Sequence, residues 1–123
     1  MTKTALETVQ TFQQSMGSGT SEWETLFAED IIFKGPVNTV IGKEANIELN
    51  KNFFPLVKGY EPISHFEQGN FVALEGVFTV ATPKGNTIKL EMAEIYEIKE
   101  GKIQNMRMYY DAEEFRNEFA PEK

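Results

Sequence analysis

The stretch MAEIYEIKEGKIQNMRMYYDAEEF, near the end of the chain, constrains the fold more than any other. It reads as a strand, a tight polar turn at Lys99-Glu100-Gly101-Lys102, a second strand and a capped C-terminal helix. On the first strand Ile88, Leu90, Met92, Tyr96 and Ile98 alternate with mostly polar residues, so they share one face of a sheet. Glu94 falls on that same apolar face. An unpaired charge there is costly, so the carboxyl must be paired, protonated or turned toward a cavity. Two readings follow. Glu94 is a raised-pKa group acting as hydrogen-bond donor or general acid/base, or it is a structural residue satisfied by Tyr96, Tyr110 or a backbone group.

The remaining pattern predicts helices first and a long sheet afterwards, an α+β arrangement. Helix one is expected over about Thr4–Met16, with Ala5, Val9, Phe12 and Met16 as its apolar stripe and Gly17-Ser18-Gly19 as its stop. Ser21 and Glu24 fit a capping box for a second helix that turns Trp23, Leu26 and Phe27 inward. Short strands follow at Ile31–Lys34 and Val37–Ile41. A third helical segment starts at Gly42 and ends before Pro55. Its apolar residues lie on two sides, with Ala45, Leu49 and Phe53 on one and Ile47 and Phe54 on the other. An antiparallel meander is expected over Pro62–Gln68, Phe71–Ala81, Thr87–Lys99 and Lys102–Tyr110. Asp111 and Glu114 fit a capping box for the last helix, in which Phe115 and Phe119 pair at i, i+4. Residues 1–119 read as one domain and 120–123 as a short tail.

Composition narrows the function. A net charge of −7 with scattered Lys and Arg argues against nucleic acid and against an anionic membrane surface. No apolar run approaches the roughly 20 residues of a membrane span. The N-terminus lacks an apolar signal-peptide core, so the cytoplasm is the expected location. The absence of cysteine removes disulfides, a thiolate nucleophile and Cys-type metal sites. His65 is the only histidine. It alternates with Ile63 and Glu67, too few ligands for a metal, and a surface or interface role is expected. No GxGxxG or P-loop appears, and neither a cofactor nor a metal is expected.

The segments LFAEDIIFKGPVN (Leu26–Asn38), IGKEA (Ile41–Ala45), EGVFTV (Glu75–Val80) and EIYEIKEGKIQNMRMYYD (Glu94–Asp111) resemble the SnoaL-like branch of the nuclear transport factor 2-like superfamily. The resemblance implies a curved antiparallel or mixed sheet wrapped by N-terminal helices into a cone with an internal pocket, and a short C-terminal helix. It also implies homodimers and hydrophobic small-molecule ligands. Known catalytic sets are mostly missing. The steroid isomerase base falls at Gly35, its helix-one tyrosine at Phe12 and its protonated aspartate at Glu94. The Arg and Asp of limonene-epoxide hydrolases fall at Gly76 and Phe78, and their second Asp at Met108, near the aspartate of the polyketide cyclases.

The pocket wall expected from the shared sheet face and the resemblance comprises Phe12, Phe33, Gly35, Gly76, Phe78, Met92, Tyr96, Met106, Met108 and Tyr110, with Glu94 as the catalytic candidate. Val72, Leu74 and Val80 share that face. Gly76, in mid-strand, leaves room or marks a bend. Arg107, Glu91, Glu75 and Asn105 fall on the opposite face, where a second subunit or solvent would meet them. Three readings stay open. The first is a binder of a small hydrophobic molecule anchored by Glu94. The second is a cofactor-independent isomerase or cyclase-type lyase using Glu94 as acid/base. The third is a dimerisation or interaction module whose pocket is filled by side chains.

Overall fold

A computed structural model describes residues 4–120. Helix α1 (Ala5–Ser18) and the single turn α2 (Glu22–Thr25) precede β1 (Phe27–Lys34) and β2 (Thr39–Ile41). Helix α3 (Lys43–Phe53) follows, closed by a 3-10 turn at Phe54–Leu56. The meander is β3 (Val57–Gln68), β4 (Phe71–Ala81), β5 (Thr87–Lys99) and β6 (Lys102–Tyr110), and α4 (Glu113–Phe119) ends it. The strands form one curved mixed sheet in the order β2-β1-β6-β5-β4-β3. Every neighbouring pair is antiparallel except β1 with β6.

The register places side chains in rows on the concave face: Val72, Tyr96 and Met106, then Leu74, Glu94 and Met108, then Gly76, Met92 and Tyr110. The alternation seen in the sequence is therefore one continuous wall. The β5–β6 connection turns on Glu100 (φ 54°) and Gly101 (φ 75°). Positive φ at both central residues matches the twist of the strands it joins. Helix α1 lies across the sheet and buries Ala5, Val9 and Phe12 against Phe27, Ile31, Tyr96, Ile103 and Met106. Phe12, Trp23 and Phe27 form a ring cluster with centroids 5.6–6.4 Å apart. Each fully buried side chain of this group contributes about 1.5–3 kcal/mol.

Several local expectations are corrected. The N-terminal capping box forms at Thr4 and Glu7: the Glu7 amide donates to Thr4 Oγ1 (3.1 Å) and the Thr4 amide to Glu7 Oε1 (2.8 Å). Ser21 makes no cap bond, because the chain leaves the helix after one turn and enters β1 at Phe27, which lies opposite Ile103. Strand β1 thus begins at Phe27, earlier than the strand expected at Ile31–Lys34. Strand β2 is shorter than expected and β3 begins earlier, at Val57. In α3 the buried residue is Asn46, while Ala45 is exposed. The Asn46 amide donates to the carbonyls of Gly42 (2.8 Å) and Val40 (3.1 Å), pinning α3 to the strand before it. At α4 the Glu113 amide donates to Asp111 Oδ1 (3.0 Å), but the cap position is Ala112 and no Asp111–Glu114 box closes. Of the tail expected at 120–123, residues 121–123 lie outside the described ones.

Candidate functional site

The sheet's concave face, α1, α3 and α4 enclose a cavity of about 660 Å³. Of the residues singled out from the sequence, Phe12, Phe33, Phe78, Met92, Glu94, Tyr96, Met106, Met108 and Tyr110 line it. Gly35 and Gly76 do not. A Cβ on Gly76 would sit 2.5 Å from the Tyr60 ring, so the space left by that glycine is taken by Tyr60 of β3. Gly35 belongs to a turn in which its amide donates to the Asn38 carbonyl (2.9 Å), beside the Phe33 ring. His65 is exposed on β3 and outside the lining.

Glu94 is 2% exposed. Its Oε1 accepts a hydrogen bond from the Tyr96 hydroxyl (2.7 Å), and its Oε2 has no partner among the described residues. Neither original alternative is complete: one oxygen is satisfied within the protein, and the other is open on a residue that lines the cavity. Burial pushes the carboxyl up to about 7, and the Tyr96 hydrogen bond pulls the other way. The Tyr96 hydroxyl is raised as well, first by burial and then by the charge of Glu94.

The sequence reading missed Tyr60. Its phenol is raised by burial and by the charge of Glu94, while a hydrogen bond from the Gln13 side chain lowers it. Its ring packs on Phe78 with centroids 4.6 Å apart. The signal was present in Gly76: a bare position in mid-strand leaves space for a ring from the next strand. Gln13, next to Phe12 on α1, carried no such signal. At the other end of the cavity Phe115 of α4 meets Phe53 (6.3 Å), Tyr110 (5.9 Å) and Phe119 (4.3 Å, stacked). Burial raises Tyr110, and the Arg116 charge opposes it. Helix α4 is held there by Glu118, which accepts from Thr82 Oγ1 (2.7 Å) and Asn86 Nδ2 (3.0 Å), and by Arg116 donating to the Pro36 carbonyl (2.8 Å).

Among the described residues no cluster of three or more His, Asp or Glu is placed to hold a metal, and no helix is long and apolar enough to cross a membrane.

A six-stranded curved sheet with helices over its concave face defines the nuclear transport factor 2-like class. The SnoaL-like domain matches residues 9–106, most of the chain, and the protein belongs to that family. Solved structures agree on the fold. An NTF2-like protein of unknown function from Burkholderia pseudomallei superposes with a TM-score of 0.81 at 14% identity, covering 95% of this chain and 98% of its own. A putative SnoaL-like polyketide cyclase from Jannaschia sp. gives 0.78 at 16% identity, covering 96% and 93%. TerC, co-crystallised with polyporic acid, gives 0.77 at 18% identity, covering 93% and 96%. The sequence matches no curated protein.

Proposed function

We propose that this protein binds a small, mainly apolar molecule inside the cone, with Glu94 holding that molecule's polar group. The carrying observation is the unpartnered Oε2 of a carboxyl that is 2% exposed and lines the cavity. A buried polar atom left open costs about 1–3 kcal/mol, and a ligand that pairs with it removes that cost. The cavity volume lies in the range usual for small-molecule sites. With the carboxyl near 7, both protonation states are populated around neutral pH. It accepts from a hydroxyl when charged and donates to a carbonyl when protonated. That a relative of this fold was crystallised with polyporic acid supports the reading.

The test is thermal stabilisation by a panel of hydrophobic ketones, phenols and steroids, for wild type and Glu94→Gln, at pH 5 and pH 8. Ligands should raise the melting temperature, and the variant should change which ones do. A panel that stabilises neither protein at either pH contradicts the reading.

The same titration favours a second reading, an isomerase or cyclase-type lyase with Glu94 as general acid/base, because a catalytic group works best near the operating pH. Deuterium exchange at the α-carbon of a bound ketone supports it, and binding without exchange removes it. The cavity speaks against a purely structural module with a filled interior.

We also propose a homodimer through the outer sheet face. Phe66 (68% exposed) and Tyr109 (54%) are exposed there, and the buried Nε of Arg107 lacks a partner among the described residues. A monomer in sedimentation equilibrium would overturn it.

A further inference from the structure

Tyr60 lies opposite Phe78, but its ring leans along the strand into the next row, that of Gly76 and Met92. A Cβ on Gly76 would lie 2.5 Å from the Tyr60 hydroxyl oxygen, so the hydroxyl occupies the concave face where residue 76 has no side chain. Only glycine leaves room for that approach. Gly76 and Glu94 are diagonal neighbours across the antiparallel pair of β4 and β5, because Glu94 lies two residues beyond Met92, the partner of Gly76. Such diagonal positions are about 7–8 Å apart on one face, within reach of long side chains. The Tyr60 hydroxyl and the Glu94 carboxyl thus come from different strands to adjoining places on one wall, and both residues line the cavity. Burial raises the Tyr60 phenol, and the charge of Glu94 raises it further.

The hydrogen bonds around this pair leave it incomplete. Gln13 of α1 bonds to the Tyr60 phenol in the sense that lowers it, which is donation of the Gln13 amide to the phenol oxygen. A hydroxyl that accepts in this way keeps its own proton to donate. Tyr96 gives its proton to Glu94 Oε1, while Oε2 has no partner among the described residues. The Tyr60 hydroxyl therefore does not satisfy Oε2 directly. One open acceptor and one hydroxyl with a proton to give stand side by side on the cavity wall.

We infer that Tyr60 donates to the same ligand atom that Glu94 Oε2 holds, and so restricts that atom to an oxygen. The inference rests on the small-molecule reading above and adds which polar group the ligand must carry. With Glu94 charged, a hydroxyl donates to Oε2 and accepts from Tyr60. With Glu94 protonated, a carbonyl accepts from both through its two lone pairs. An amine on an aromatic ring has protons for Glu94, but its lone pair is drawn into the ring and accepts poorly. Tyr60 would then be left with an unpaired proton, which is costly in a site closed to water. Phenols, alcohols and ketones fit both groups, and arylamines fit one.

The experiment uses 4-phenylphenol and 4-phenylaniline in calorimetric titrations at pH 8, with wild type, Tyr60→Phe and Glu94→Gln. The two probes share a shape and differ in the polar atom. Tyr60→Phe keeps the ring against Phe78 and over Gly76, and removes only the hydroxyl. It should weaken the phenol roughly 3- to 10-fold, the range of one neutral hydrogen bond, and leave the affinity for the aniline unchanged. A Tyr60 that serves only in packing predicts no change for either probe, since the ring stays. Unchanged phenol binding in Tyr60→Phe, or equal losses for phenol and aniline, overturns the inference. In either case phenol binding that is lost in Glu94→Gln leaves the small-molecule reading standing. Failure of wild type to bind either probe overturns both.

Discussion

The two ends of the cone use the same residue types for different purposes. Under α1, Val9, Ile31 and Ile103 are fully buried and Phe27 is 1% exposed. Beneath α3 and α4, Phe53, Phe78, Tyr110 and Phe115 pack only partly, around open volume. Closing the second end as tightly as the first would remove the cavity. The difference teaches that aromatic content alone does not separate core from pocket. What separates them is which strands a helix packs on: α1 contacts β4, β5 and β6, whereas α3 packs on β1 and β2. Phe12, Glu94 and Tyr96 sit at the boundary: buried among the packed end's neighbours, they also belong to the cavity lining.

The sharpest way to break this comparison is to truncate one ring at each end. Phe27→Ala should cost about 3–5 kcal/mol in urea denaturation, because it leaves a hole in close packing. Phe115→Ala should cost about 1–2 kcal/mol, since its ring already borders open space. Equal losses would mean that both ends are packed alike.

The next effect is a pH dependence. The Glu94 carboxyl is raised from 4.5 to about 7 in the folded protein. Between those values the native state holds a proton that the unfolded state has released. Stability therefore falls as pH rises through this window and levels off above it, a total of about 3 kcal/mol. Glu94→Gln should lose that slope. It should match wild type near pH 4.5 and exceed it at pH 8. A variant less stable than wild type at pH 8 would show that the charged carboxyl is better paired than the geometry indicates.

At the open end, Gly76→Ala drives a methyl into the Tyr60 ring. A loss of about 1–3 kcal/mol is expected. Adding Tyr60→Ala should make the pair's effects less than additive, because one clash accounts for both. Additive losses would show that Gly76 is required for another reason. The smallest effect is that of Tyr96→Phe, about 1–2 kcal/mol at pH 8, where the lost bond is to a charged oxygen. Since that bond lowers the Glu94 value, its removal should move the upper edge of the pH window higher.

The sheet from β4 to β6 was legible in the sequence because strand periodicity is two and each residue's face follows from parity. Glu94 stood out for the same reason. The second half of strand β3, Pro62–Gln68, was legible; its first half, Val57–Glu61, was not, because it opens on an irregularity at Lys58 and a bulge shifts the register without changing composition. Tyr60 was missed along with it. Ser21-x-x-Glu24 and Thr4-x-x-Glu7 carry the same capping signature, yet only the second caps a helix. The first is overridden by β1 pairing with β6, a long-range contact that no local pattern reveals. Asn46 gave no signal in the sequence because its partners are the backbone carbonyls of Val40 and Gly42, which side-chain patterns do not encode.

Glu94 is a buried, half-satisfied carboxyl in the lining of the cavity. Its side-chain carboxyl carbon can be followed by NMR through a pH titration, with and without 4-phenylphenol. A midpoint near 7 in the free protein, displaced when the phenol is added, is the predicted result. A midpoint near 4.5 that the phenol leaves unmoved would contradict the account.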